Sequence, residues 1–264
     1  MIPLSFIYEE RQNLALITLN RPEILNALTF EIFGELNDVF INLRHRHEIH
    51  AVILTGKGKA FCSGGDFNEI MKRLFTKGES SILKFNQQIA RLFLSMRALK
   101  KPIIAAVNGI AAGDGASLAL ACDLRIASDK ATFSFLHNKF ALAGTGLGVS
   151  YLLPRVVGVG RAMELLLTGD TISAYDAERY GLVNRVVRNE ELLPRTIEFA
   201  EKFFQNPPPS LGYTKEILYG ELEMNLEQAM EKEVEIQTLC MESADFQEAY
   251  EAFVAKRPPE FQGR

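Results

Sequence analysis

Two short, uninterrupted apolar runs, Ala51–Leu54 and Ile103–Val107, constrain this chain most, and Leu124–Ala127 resumes strand character after them. Each is too short for a helix of ordinary length, and none shows the apolar–polar alternation of a strand with one wet face. They therefore read as buried strands. The intervening sequence agrees. A helix is expected from about Ser80 to Ala98, interrupted by Lys100-Lys101-Pro102, and Ala116–Ala121 reads as the first turns of a helix buried nearly all round. Gly58 to Asp66 and Asn108 to Gly115 read as small-residue loops. Strand, helix, strand, loop, helix, strand is the order that stacked β/α units require, so the fold class is α/β.

Before the first buried strand, Leu4–Tyr8 and Leu14–Leu19 flank a polar Glu9–Asn13 turn and predict a hairpin. Thr29 is a natural N-cap for a helix carrying Ile32, Phe33, Leu36, Val39, Phe40 and Leu43 on one face, to about Arg46. After about Val187 the texture changes to helices over 190–204, 210–220, 226–242 and 244–255, with Pro207-Pro208-Pro209 as the break. Their apolar stripes and alternating Glu and Lys suit packing on a body or on a neighbouring subunit. The expected division is a core over residues 1–200 and a helical region over 201–264.

Composition excludes several classes. With 264 residues, a hydrophobic fraction of 47% and a charged fraction of 23%, the chain is an ordinary globular one. A net charge of −4 and a pI near 5.7 give no global basic field for nucleic acid or an anionic membrane. Cys62, Cys122 and Cys240 are scattered, odd in number and without CxxC spacing, which argues for a reducing compartment and against a disulfide framework or zinc site. No apolar stretch approaches the roughly 18 to 20 residues of a membrane span, and the first residues carry no signal or transit pattern. A soluble, cytoplasmic protein is expected.

Two segments carry the chemistry: Lys59-Ala60-Phe61-Cys62-Ser63-Gly64-Gly65-Asp66-Phe67 and Asn108-Gly109-Ile110-Ala111-Ala112-Gly113-Asp114-Gly115-Ala116-Ser117-Leu118. Each follows a buried strand and is rich in residues with little side chain, and the second runs directly into a helix. Small residues let a ligand approach the backbone, and the first N–H groups of a helix have no intrahelical acceptor. Two such loops brought together can aim two backbone donors at one oxygen that gains negative charge.

Together with their surroundings these segments resemble the crotonase (enoyl-CoA hydratase/isomerase) superfamily over nearly the whole chain. The resemblance runs through Asn20-Arg21-Pro22 and Leu25-Asn26-Ala27-Leu28, Val52–Gly56, Ala60–Asp66, Lys101–Gly109 and Ala121-Cys122-Asp123. It continues through Leu152-Leu153-Pro154-Arg155, Leu167-Thr168-Gly169, Ala177–Val183 and the closing Phe253–Pro259. It implies stacked ββα units wound into a superhelix with a helical C-terminal trimerisation region, assembled as a homotrimer or a dimer of trimers. It implies an acyl-CoA substrate, with no further cofactor and no metal. The N–H groups of Gly65 and Asp114 fall where the family holds the thioester oxygen. Ser63, Gly64, Gly65, Asp66, Phe67 and Asn68, with Asn26, Ala27 and Leu28, match segments that contact substrate and CoA. Lys256 and Arg257 lie where a neighbouring subunit holds CoA phosphates, or else form a solvated helix end.

The sequence also departs from that pattern. The family's hydratases use two glutamates; the first falls at Ser117 and the second at His137, or at Asn138 if counted back from Leu152-Leu153-Pro154-Arg155. The acid that other members place later is also missing, because Gly144-Thr145-Gly146-Leu147-Gly148 contains none. Water addition needs a base for water and an acid for the α-carbon, so a two-glutamate mechanism does not apply. His137 and Asp114, which replaces a common glycine, are the available acid–base groups. Ser117 and Asn138 remain as substrate contacts, and Asp66 is expected to order its own loop. The resulting expectation is hydration, dehydration or double-bond migration on an enoyl-CoA through an oxyanion-stabilised enolate. Thioester hydrolysis, decarboxylation and non-catalytic CoA binding are the alternatives.

Two other signals read as structural. His45, His47 and His50 fit no standard zinc spacing and sit beside Arg44 and Arg46, which repel a cation; they read as a solvated helix end. Gly144–Gly148 lacks the last spacing of a dinucleotide loop and a strand before it.

Overall fold

The computed structural model describes residues 5–77, 79–143 and 148–263. Strands β1 (Phe6–Arg11) and β2 (Leu14–Leu19) pair antiparallel, Phe6 opposite Leu19 and Arg11 opposite Leu14. The first strand runs through Glu9 and Glu10, where the sequence suggested a turn. As an edge strand it presents these polar residues to solvent, and the turn narrows to Gln12, at φ +53°, and Asn13. Leu4 lies outside the described residues. Helix α1 (Phe30–Leu43) begins where expected: the Ile32 N–H donates to Thr29 Oγ1 at 3.3 Å, a cap that contributes about 1 kcal/mol. It buries Ile32, Phe33, Leu36, Phe40 and Leu43.

The three segments at 51–54, 103–107 and 124–127 are β3 (Ala51–Gly56), β5 (Ile103–Val107) and β7 (Leu124–Ser128), each almost wholly buried. With β10 (Arg185–Val187) they join the hairpin in a six-stranded sheet of order β1-β2-β3-β5-β7-β10, parallel from β2 onward. The small-residue segments are not only loop. They contain three-residue strands β4 (Ala60–Cys62) and β6 (Ile110–Ala112), which pair in parallel in a second sheet. That sheet continues through β8 (Thr132–Ser134) to β9 (Thr171–Ser173). Strands this short carry no readable period, and neighbours across the sheet decide them.

Strands β3, β5 and β7 are thus each followed by a short one in the second sheet and then by a helix, the stacked ββα arrangement. Helices α2 (Phe67–Lys77) and α3 (Glu79–Ala98) follow β4, and α4 (Asp114–Ala121) follows β6. Helices α5 (Val149–Val157), α6 (Val159–Thr168) and α7 (Ala174–Arg179) follow β8 along the chain. The helical C-terminal region comprises α8 (Leu192–Glu201), α9 (Pro208–Glu221), α10 (Leu226–Met241) and α11 (Ala244–Ala255).

The main core lies between one face of the large sheet, the small sheet and helices α1, α3 and α4. A smaller core on the other face joins Leu16, Ile53 and Ile104 to Leu192 and Ala200 of α8. Helix α4 sits deep enough that Gly115 through Ala121 are all buried. An added β-carbon at Gly115 would lie 2.0 Å from the Cys62 carbonyl oxygen, so only glycine lets α4 approach β4 this closely. The guanidinium of Arg125 closes the far end of α4 by donating to the carbonyls of Ala119, Leu120 and Cys122 at 3.2, 3.3 and 2.7 Å. Among the described residues, no helix is long and apolar enough to cross a membrane.

Candidate active site

The segment Asn20–Leu28 is pinned beside the first glycine loop. Asn26, itself at φ +58°, accepts from the Arg21 N–H at 2.9 Å through Oδ1. Its Nδ2 donates to Lys57 O at 3.0 Å and Ala60 O at 2.7 Å. Leu28 then runs parallel to Gly65: the Leu28 N–H donates to Gly64 O at 2.8 Å, and Leu28 O accepts from the Asp66 N–H at 2.7 Å. These bonds use the peptide groups on either side of Gly65, and the N–H of Gly65 itself takes no part in them. The Asp66 carboxylate accepts from the Glu69 N–H at 3.3 Å at the start of α2 and pairs with Arg21 at 3.3 Å. It therefore orders its loop.

The second loop closes against the first. Gly64 has φ +105°, and a β-carbon there would stand 3.0 Å from Ala112 O and 3.3 Å from Asp114 N. Asp114 is the first residue of α4, so no intrahelical carbonyl reaches its N–H. Gly65 and Asp114 both line a cavity of about 310 Å³, whose walls include Phe67, Ile70, Phe85, Leu136, His137, Phe140 and Leu142. The rings of Phe67 and Phe140 meet at 5.3 Å, and each is about half exposed. Gly113 and the apolar wall at Ile70, Phe85, Leu136, Phe140 and Leu142 were not singled out from sequence. The only signal was the general apolar character of the stretch from Phe67 to Phe93.

His137 opens a short 3-10 turn, His137–Phe140, and its Nε2 lies 3.2 Å from Oδ1 of Asp114. The two residues are 23 apart in sequence, and the fold brings them together. His137 is buried, and its Nδ1 is a buried atom with no hydrogen-bond partner among the described residues. Cys62 lies below the loop, its sulfur accepting from the Gly64 N–H at 3.4 Å. Burial, with a smaller contribution from the Asp114 charge, pushes the Cys62 thiol up to about 12, so it is no nucleophile.

The remaining expected contacts separate. Ser117 is a correction: it is fully buried, its hydroxyl donates to Gly113 O at 3.1 Å within α4, and it does not line the cavity. Asn138 also turns away, donating to Leu166 O at 2.5 Å and Leu167 O at 2.9 Å. The Asn26 side chain is spent on the scaffold, Ala27 and Leu28 are buried, and Asn68 is exposed. Ser63, Gly64, Gly65, Phe67, Asp114 and His137 line the cavity together. Among the described residues no three metal-ligating side chains converge, at His45, His47 and His50 or elsewhere. Residues 144–147 of the faint dinucleotide-like loop lie outside the described residues.

Fold and site define a crotonase-type α/β protein, built on two sheets with an apolar cavity where two glycine loops meet. The enoyl-CoA hydratase/isomerase family model matches residues 9–264, and the chain belongs to that family. It is 36% identical to the short-chain-enoyl-CoA hydratase of Clostridium acetobutylicum, over 96% of this chain and 95% of that one. It is 35% identical to the 1,2-epoxyphenylacetyl-CoA isomerase of Escherichia coli K12, over 94% of each. A solved protein of Streptomyces coelicolor A3(2) matches with a TM-score of 0.96 at 39% identity, covering 99% of this chain and 95% of its own.

Proposed function

We propose that this protein binds an acyl-CoA thioester and carries out enoyl-CoA hydratase/isomerase-type chemistry through the thioester enolate. The observation that carries this reading is the convergence of Gly65 and Asp114 on one apolar cavity. Removing a proton beside a thioester, or adding a nucleophile at the β-carbon, moves charge onto the carbonyl oxygen. Backbone donors fixed before the reaction stabilise that charge without reorganising, at about 3 to 4 kcal/mol for one such donor. The N–H groups of Gly65 and Asp114 fill this part, and the Asp114–His137 pair supplies the acid–base function. The chemistry needs no metal or further cofactor. CoA runs along the backbone of Asn26–Leu28 and Gly65–Asn68, and the acyl group lies in the apolar cavity walled by Phe67 and Phe140.

The division into a core over 1–200 and a helical region over 201–264 goes with assembly as a trimer or dimer of trimers in the cytoplasm. Large apolar side chains along α10 and α11 support it: Leu226 is 79% exposed and Phe253 83%, as expected of faces that a neighbouring copy covers.

The test is binding and turnover of a panel of 2-enoyl-, 3-enoyl- and malonyl-type CoA esters. Conversion of an enoyl ester without CoA release supports the reading. CoA release as the main event points to hydrolysis, binding without turnover to a non-catalytic role, and failure to bind any ester overturns the proposal.

A further inference from the structure

Resting on that reading, we infer that the site carries a single working base, the Asp114 carboxylate, and that the reaction is double-bond migration in a 3-enoyl-CoA rather than addition of water. The two oxygens of Asp114 face different neighbours. Oδ1 is held by His137 Nε2 at 3.2 Å, while Oδ2 lies 3.2 Å from where a β-carbon on Gly65 would stand. The free oxygen thus sits beside the proposed oxyanion donor, next to the place where a thioester presents its α-carbon.

His137 forms part of the cavity wall, but neither ring nitrogen serves a substrate. Nε2 donates to Asp114, and Nδ1 is buried and unpartnered. His137 is therefore a positioning residue, and Asp114 is the catalytic one. Among the described residues no other acid lines the cavity. Water addition needs two proton-handling groups; a 1,3-proton shift needs one.

The step balances without a co-reactant. Asp114 Oδ2 takes the proton from C2, the C2–H electron pair delocalises onto the thioester oxygen, and a dienolate forms with its charge on that oxygen. Asp114 then returns the proton to C4, leaving the double bond between C2 and C3 in conjugation with the carbonyl. The carboxylate becomes neutral as the oxygen becomes negative, so the site keeps one negative charge throughout. A carboxylate beside an oxyanion hole, which would oppose a second anion, is compatible with an enolate that it has itself just generated.

The experiment compares isomerisation of 3-hexenoyl-CoA with hydration of crotonyl-CoA by wild type, Asp114→Asn, His137→Ala and His137→Gln. The wild type should isomerise at least about a thousandfold faster than it hydrates, in line with the 10²–10⁴ that one positioned acid or base contributes. In D2O, part of the migrating hydrogen should be retained as protium. Asp114→Asn should lose about 10²–10⁴ in kcat while still binding hexanoyl-CoA. His137→Ala should lower kcat about 10- to 100-fold at unchanged KM, the factor carried by a hydrogen bond to a charged group. His137→Gln, which keeps a donor near the Nε2 position, should recover most of it. Hydration as fast as isomerisation, an active Asp114→Asn, or CoA release overturns the inference while leaving acyl-CoA binding intact. Absence of binding to any thioester overturns both readings.

Discussion

A β-carbon placed on Gly65 would stand 3.2 Å from Oδ2 of Asp114 and 2.9 Å from Cδ1 of Ile70. Gly65→Ala should therefore fold, because an isoleucine tip can swing aside, but its methyl group would intrude where the thioester and the carboxylate meet. We expect a stability change below about 1 kcal/mol and a loss of turnover of about 10²–10³, the scale of a lost oxyanion donor. Steady-state kinetics beside a thermal melt checks both; a variant as active as wild type would remove Gly65 from the site.

Two other glycines should answer alanine in opposite ways. At Gly115 the new methyl would lie 2.0 Å from Cys62 O, a backbone atom that cannot retreat without separating α4 from β4. Gly115→Ala should lose more than about 3 kcal/mol, or fail to accumulate as folded protein. At Gly160, within α6, nothing lies within 4 Å, so Gly160→Ala should be neutral to stabilising by about 0.5 to 1 kcal/mol. Urea unfolding of the two variants measures the contrast.

Asn26 holds three hydrogen bonds from a buried side chain at a left-handed backbone position. Asn26→Ala orphans Lys57 O and the Arg21 N–H and places a β-branch-free but still L residue at φ +58°. The expected loss is about 2 to 4 kcal/mol, with weakened acyl-CoA binding as Leu28 loosens from Gly65. A denaturant midpoint together with a binding titration tests it, and an unchanged midpoint would show that the latch is dispensable.

Lys101 gives stability a pH dependence. Its ammonium is half-buried and donates to Leu43 O and Arg46 O. Burial lowers its pKa from 10.5 to about 8, opposed by Glu48 and reinforced by Arg46. Between about 8 and 10.5 the unfolded chain holds this proton and the native chain does not, so unfolding takes up a proton and stability rises with pH. The contribution is present above 10.5 and is lost as pH falls through 8. Wild type should therefore gain stability relative to Lys101→Met between pH 8 and pH 10, measured by urea unfolding at both values. A flat difference would mean that Lys101 keeps its proton when folded.

The long elements were legible because each repeats one physical preference many times. Ile32, Phe33, Leu36, Phe40 and Leu43 mark one face of α1, and Ile103–Val107 offers nothing but apolar residues, all of them buried. Strands β4 and β6 were not legible, because Ala60-Phe61-Cys62 and Ile110-Ala111-Ala112 are strands only through each other. Helix α2 escaped notice for a related reason: its start depends on the Asp66 cap, which in turn depends on Arg21 and Leu28.

At the site, sequence alone determined which backbone must come close, since glycine at 64, 65 and 115 is a local property of those residues. It also determined that no glutamate pair is present. Tertiary structure alone decided which polar side chains face the cavity. Ser117 lies three residues beyond Asp114 on the same helix, yet its hydroxyl returns to Gly113 O, while His137, from a different segment, reaches Asp114 at 3.2 Å. Side-chain direction depends on the rotation of α4 against β4 and on where the turn at His137–Phe140 is carried by β8. These are long-range packing outcomes, set by summed contacts across the core and by no residue's own preference.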